Sequence, residues 1–199
     1  MTQSNGAGRP RDPLVVERVQ RAACDIYGRV GWSGFSIDAV AREAKVGKSS
    51  IYLRWPDHTT LLLESLESRI DLPYDTDTGT LRGDLLVLSR SILAILFGEY
   101  GDVLIRLSAE ARAVRELAPR WEAFMAANAT AIRAIAQRGI DRGELPPNAP
   151  VTTLLDALFG GLLMHLIATP PSRVRRLAAD ADRYAEGLVD LILAAVRPG

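Results

Sequence analysis

From Pro13 to Val196 the apolar residues recur three and four apart, and no stretch alternates β-branched with polar residues over the length of a strand. That periodicity restricts the chain to an all-α fold. The 199 residues suit one or two small domains, and a hydrophobic fraction of 48% is enough to fill a core. Proline and glycine mark where helices stop. Pro13 suits a first helical position, with Asp12 before it as N-cap, and Gly31 ends the helix that follows. Ser36 is placed to cap a second helix with Asp38 in its first turn, and Lys45-Val46-Gly47 breaks it. A third helix, Lys48 to Arg54, stops before Pro56, and a fourth runs from near Asp57 to about Asp71.

Pro73 and Gly79 bracket a linker. The spacing then predicts helices over 81–97, 102–117, 119–142, 151–168 and 172–196. The domains expected are a basic arm over 1–13, a small unit over 14–72 and a larger one over 80–199. The reading is therefore two bodies built only from helices.

Net charge is zero, but its distribution is uneven. Residues 1–60 hold nine Lys/Arg against six Asp/Glu, and the remainder holds fifteen against eighteen. A basic head on a mildly acidic body fits a nucleic-acid reader attached to something else. Cys24 is the sole cysteine, which excludes an internal disulfide. His58 and His165 are far apart, so no metal-ligand spacing exists. No apolar run reaches the length of a membrane span, and the N-terminus lacks an apolar signal core. The expectation is a cytoplasmic protein without membrane partner, metal or cofactor. Asp141 and Glu144 stand among arginines at a helix end, which reads as capping charge. His165 lies on an apolar face, and Cys24 has no base beside it. With no nucleophile–base arrangement, no enzyme is expected.

Gly47-Lys48-Ser49 could end a phosphate-binding P-loop, and a nucleotide-binding enzyme is then one alternative. That motif needs a glycine five residues before Gly47 and a strand leading into it. Arg42 stands there, within a helical pattern. Two short helices joined by a tight turn fit better, a helix-turn-helix whose second member lies in the major groove. Ile51 faces inward, leaving Lys48, Ser49, Ser50, Tyr52 and Arg54 for DNA.

The run Gly31-Trp32-Ser33-Gly34-Phe35-Ser36-Ile37-Asp38-Ala39-Val40-Ala41, followed by Ala44-Lys45-Val46-Gly47-Lys48-Ser49-Ser50-Ile51-Tyr52-Leu53-Arg54-Trp55-Pro56, resembles the DNA-binding domain of TetR/AcrR-family transcriptional regulators. Arg120-Trp121-Glu122, Arg142-Gly143-Glu144-Leu145 and Leu158-Phe159-Gly160-Gly161-Leu162 extend the likeness more loosely through the body. The resemblance implies an N-terminal three-helix helix-turn-helix domain joined to a C-terminal helical domain for ligand binding and dimerisation. It implies a homodimer that represses by binding a palindromic double-stranded DNA operator and responds to a small-molecule effector. Ser36 and Tyr52 then stand where phosphate is met, and Lys48 and Ser50 where base or phosphate is met. Arg54 either reads guanine, worth about 1–3 kcal/mol of discrimination, or is a solvated arginine. Gly8-Arg9-Pro10-Arg11 is either a minor-groove arm, with Arg9 and Arg11 inserted, or a plain tail.

Two departures from the family pattern stand out. Gly47 replaces a capping Ser or Thr, and Asp57-His58 replaces a Ser-Lys pair whose lysine touches DNA. A helical ligand-binding adaptor without DNA readout is the alternative that Asp57-His58 permits. In the body, Phe97, Arg106, Trp121, Phe124, Met125, Asn128, Phe159 and His165 are the candidate effector contacts. Core packing is the other reading of the apolar ones. Gly160, Gly161, Leu188, Leu191 and Ile192 are the candidate dimer contacts.

Overall fold

Gly31 decides how the first helix ends. The computed structural model describes residues 13–70 and 72–196. In it, α1 (Pro13–Gly34) is interrupted at Gly31, whose φ of 67° and ψ of −171° are open only to glycine. The arm with Arg9 and Arg11, and the expected cap Asp12, lie outside the described residues. The described chain is all helix, in two compact units that part between Leu66 and Glu67.

The first unit holds α1, α2 (Ile37–Ala44), α3 (Lys48–Tyr52) and α4 (His58–Glu67). Ser36 caps α2 by accepting the Ala39 N–H at 3.3 Å. The helix stops because Lys45 turns left-handed, with φ 54°. The Lys45 and Val46 N–H groups then close on the carbonyls of Arg42 and Ala41. This is the double bond of a Schellman stop, made here with lysine in place of the usual glycine. Ile37, Val40, Ala41 and Ala44 are buried on one face of α2, against α1 and α3. The fourth helix ends at Glu67, short of Asp71.

The second unit is built around α5 (Leu81–Phe97), which touches each of α6 (Gly101–Glu110), α7 (Ala118–Asp141), α8 (Val151–Ile167), α9 (Val174–Ala179) and α10 (Ala181–Val196). Leu81, Leu85, Leu88 and Leu93 are essentially without solvent contact. A helix apolar nearly all round belongs at the centre, where each leucine contributes about 1.5–3 kcal/mol.

The third helix also ends early, at Tyr52 rather than Arg54, and two helices of the second unit differ from the periodicity. The helix expected over 102–117 stops at Glu110, and turns carry the chain on so that Ala111 and Leu117 are both buried. The helix expected over 172–196 begins as a 3-10 turn, Pro171–Arg173, and breaks again at Asp180. Asp180 ends α9, and its carbonyl accepts the Tyr184 N–H of the next helix. The loop before α5 is fastened to the second unit. Thr76 O accepts from Arg138 at 2.6 Å, Asp77 meets Arg142 at 3.1 Å, and the Thr78 N–H donates to Asp84 at 2.7 Å.

Candidate nucleic-acid interface and internal cavity

The third helix has one buried side chain, Ile51. Lys48, Ser49, Ser50, Tyr52, Leu53 and Arg54 are all exposed, Leu53 at 88% the most open large apolar residue described. Gly47 begins the helix with no side-chain cap. Five residues cannot hold a helix unaided, so tertiary anchors must do it. Ile51 is one anchor, and Trp55, four residues on and 2% exposed, is the other. The Trp55 indole N–H donates to Glu64 on α4 at 3.0 Å. The Arg54 guanidinium lies 5.3 Å from the Trp55 ring centroid, which orients it without using its donors.

The structure explains the Asp57-His58 departure. Asp57 caps α4, accepting the Thr60 N–H at 2.6 Å and the Thr60 hydroxyl at 3.0 Å. His58 stacks on Trp32 with ring centroids 4.6 Å apart. Both residues serve the packing of the unit. Lys48 is ion-paired with Asp38 of α2, and Ser36 already accepts a helix N–H. The residues before Gly47 are helical rather than a strand, which removes the P-loop reading.

The second unit contains an apolar cavity of about 500 Å³. Trp121, Phe124, Met125, Asn128 and Phe159 line it. Phe97, Arg106 and His165 do not. Phe97 packs on the core, and Arg106 turns along α6 toward Glu110 at 3.7 Å. His165 stacks flat on Tyr184, centroids 3.6 Å apart, and burial lowers its pKa. Leu104, Ile105 and Leu155 complete walls that the sequence could not separate from ordinary core. Ile70 and Leu72, in the stretch read as helix end and linker, line it too.

The candidate dimer contacts divide. Leu191 is 69% exposed and Gly160 is open to the cavity side. Gly161 faces Leu188 within the same chain: a Cβ there would come within 2.8 Å of the leucine methyl. The Tyr184 hydroxyl donates to the Gly161 carbonyl at 3.0 Å. Ile192 is buried in the core of its own chain. Among the described residues no cluster of His, Cys, Asp and Glu could hold a metal ion. No helix among them is long and apolar enough to cross a membrane.

Comparison with known proteins agrees with this arrangement. Residues 20–64 match the bacterial regulatory proteins of the tetR family, and residues 75–192 match the tetracyclin repressor-like C-terminal domain. The chain is 26% identical over 167 residues to YdeS, an uncharacterized HTH-type transcriptional regulator of Bacillus subtilis, covering 81% of this chain and 83% of that one. It is 30% identical over 178 residues to an uncharacterized HTH-type transcriptional regulator of Mycobacterium tuberculosis, covering 84% and 86%. The fold resembles that of the transcriptional regulator FadR from Bacillus subtilis, solved in complex with stearoyl-CoA, with a TM-score of 0.68 at 16% identity over 90% of this chain and 98% of that one. It also resembles MexZ, a repressor from Pseudomonas aeruginosa, with a TM-score of 0.71 at 20% identity over 94% and 97%. The chain belongs to the TetR family, and it is a DNA-binding transcriptional regulator rather than an enzyme.

Proposed function

We propose that this regulator works as a homodimeric repressor on a two-fold symmetric operator, and that a ligand in the cavity of the second unit releases it. The third helix carries the reading: it is held by Ile51 and Trp55 and leaves Lys48, Ser49, Ser50, Tyr52 and Arg54 to solvent. In a symmetric dimer, two such helices about 34–36 Å apart enter successive major grooves. Exposed Met164, Ile167 and Leu191, on α8 and α10, favour those helices as the face that meets the second copy. The arm with Arg9 and Arg11 then follows the minor groove. Release requires only that the ligand bind better to the form whose heads are wrongly spaced.

The test is retention of selected operator duplexes by the purified full-length protein. Arg54→Ala is expected to weaken binding by about 5- to 150-fold, the 1–3 kcal/mol of one guanine contact, and to relax preference at one base per half-site. Tyr52→Ala is expected to weaken all duplexes about equally. Binding by both variants with wild-type strength and salt dependence would exclude this surface. A further prediction concerns the Asp38–Lys48 pair. Asp38 places a carboxylate beside the DNA face and holds Lys48. Asp38→Asn frees the lysine and is expected to tighten DNA binding several-fold at low salt, an advantage that shrinks as salt rises. Titrations at two salt concentrations check it.

A further inference from the structure

The polar groups around the cavity are almost all engaged. The Asn128 amide donates to the Phe124 carbonyl at 2.7 Å, and the Ser108 hydroxyl to the Ile105 carbonyl at 2.7 Å. Arg133 donates to Thr152 at 3.0 Å and shares the cavity wall with Asp156, whose charge opposes its own. A ligand finds little there beyond apolar surface.

Arg69 is different. Ile70 and Leu72, just after it in the chain, line the cavity, and so does Leu104, one helical turn beyond Tyr100. The Arg69 guanidinium lies over the Tyr100 ring, 5.5 Å from its centroid. Its Nε and one terminal nitrogen are buried and find no acceptor among the described residues. The Tyr74 hydroxyl is also buried, with no partner among the described residues. An unmet buried donor is costly, and more so on a charged group, so such a pair calls for an acceptor. The aromatic face stabilises the cation but cannot satisfy its N–H groups. Two parallel N–H donors on a planar fork match the two oxygens of a carboxylate.

We infer that the cavity takes an amphipathic monocarboxylate, its apolar chain among the cavity walls and its carboxylate on Arg69. This rests on the reading of the cavity as the effector site and names the effector's chemical class. Arg69 is the binding residue for the head, and chain length sets affinity through burial in the cavity. Each added methylene tightens binding about fourfold until the cavity is full, as expected from about 0.8 kcal/mol per buried CH₂.

The experiment titrates the full-length protein with decanoate, decan-1-ol and decyltrimethylammonium, by calorimetry and by the fluorescence of Trp121 in the cavity wall. Decanoate is expected to bind at least tenfold tighter than the alcohol, the cation weakest, and octanoate roughly 16-fold weaker than decanoate. In Arg69→Gln the acid and alcohol should bind within about twofold of each other. Arg69→Lys should keep a reduced preference for the acid, and Arg112→Gln, an exposed arginine elsewhere, should keep the full one. If acid and alcohol bind the wild type alike, the carboxylate assignment fails while the effector reading of the cavity stands. Undiminished preference in Arg69→Gln would overturn the role of Arg69. If no probe binds, both the assignment and the effector reading fall.

Discussion

Trp55→Ala is expected to cost the first unit about 3–5 kcal/mol and to abolish operator binding while the second unit stays folded. The side chain is 2% exposed, so its removal loses nearly the full burial of the largest residue type and leaves a cavity behind. Its backbone N–H donates to the Ile51 carbonyl at 2.9 Å, and its indole N–H to Glu64 at 3.0 Å. The substitution therefore cuts the third helix from α4 as well as emptying a core site. Ile51 alone cannot hold five residues in helical form. The unit is small, and small units have little stability to lose. Arg54 loses the ring beneath it in the same step. Circular dichroism during heating should show the first unit's helicity already missing at low temperature, with the second unit's transition kept. Trp55→Phe retains most of the apolar area and removes only the indole donor, so it should cost about 1 kcal/mol for the bond, plus the lost ring volume, and should still bind DNA. An alanine variant that melts like wild type and retains operator would refute this account of how the recognition helix is held.

Helix existence was legible from the sequence because burial of one face imposes a period. Ser36, Gly31 and the Lys45-Val46-Gly47 break were legible because caps and stops use few residue types. The breaks after Glu110 and at Asp180 were not, since both interrupt sequences whose apolar spacing continues undisturbed. What breaks them is tertiary: Ala111 and Leu117 must both be buried, and α10 must restart against α5 and α8. Asp57-His58 looked like a lost DNA contact, yet the pair caps α4 and stacks on Trp32. The ring partner of His58 is remote in sequence and carries no periodic trace, whereas Asp57 caps Thr60 three residues on, which is a local signal. The cavity shows the same limit. Trp121 and Phe159 were candidates because aromatics stand out, whereas Leu104 and Leu155 read as core in any helical protein. Arg106 and His165 stand out by polarity alone, and each has a partner outside the cavity, Glu110 one turn on and Tyr184 on another helix.

Asp84→Asn should destabilise the second unit by about 3 kcal/mol at neutral pH, and so lower its melting temperature by about 6–12 °C. Asp84 sits in the first turn of α5 with its side chain out of solvent. One carboxylate oxygen accepts the Thr78 N–H at 2.7 Å and the Thr78 hydroxyl at 2.8 Å, and the other accepts from Arg142 at 3.1 Å. Arg142 also binds Glu144 at 2.6 Å, and Glu144 in turn accepts the Leu81 N–H that opens α5. The capping charge expected of Glu144 thus serves α5 rather than the end of its own helix. An asparagine keeps one acceptor for Thr78 but turns an amide N–H toward the Arg142 donor. Burial alone would raise the Asp84 pKa, but the Thr78 bonds and the Arg142 guanidinium together outweigh it and hold the carboxyl below its usual range. A folded pKa below the unfolded value of about 3.9 means the contribution is fully present above that pH and is lost as pH falls through the folded value. The gap between wild type and Asp84→Asn should therefore be constant from about pH 5 to 7 and narrow below about pH 4. A gap that widens on acidification would mean that the carboxylate is not the stabilised form.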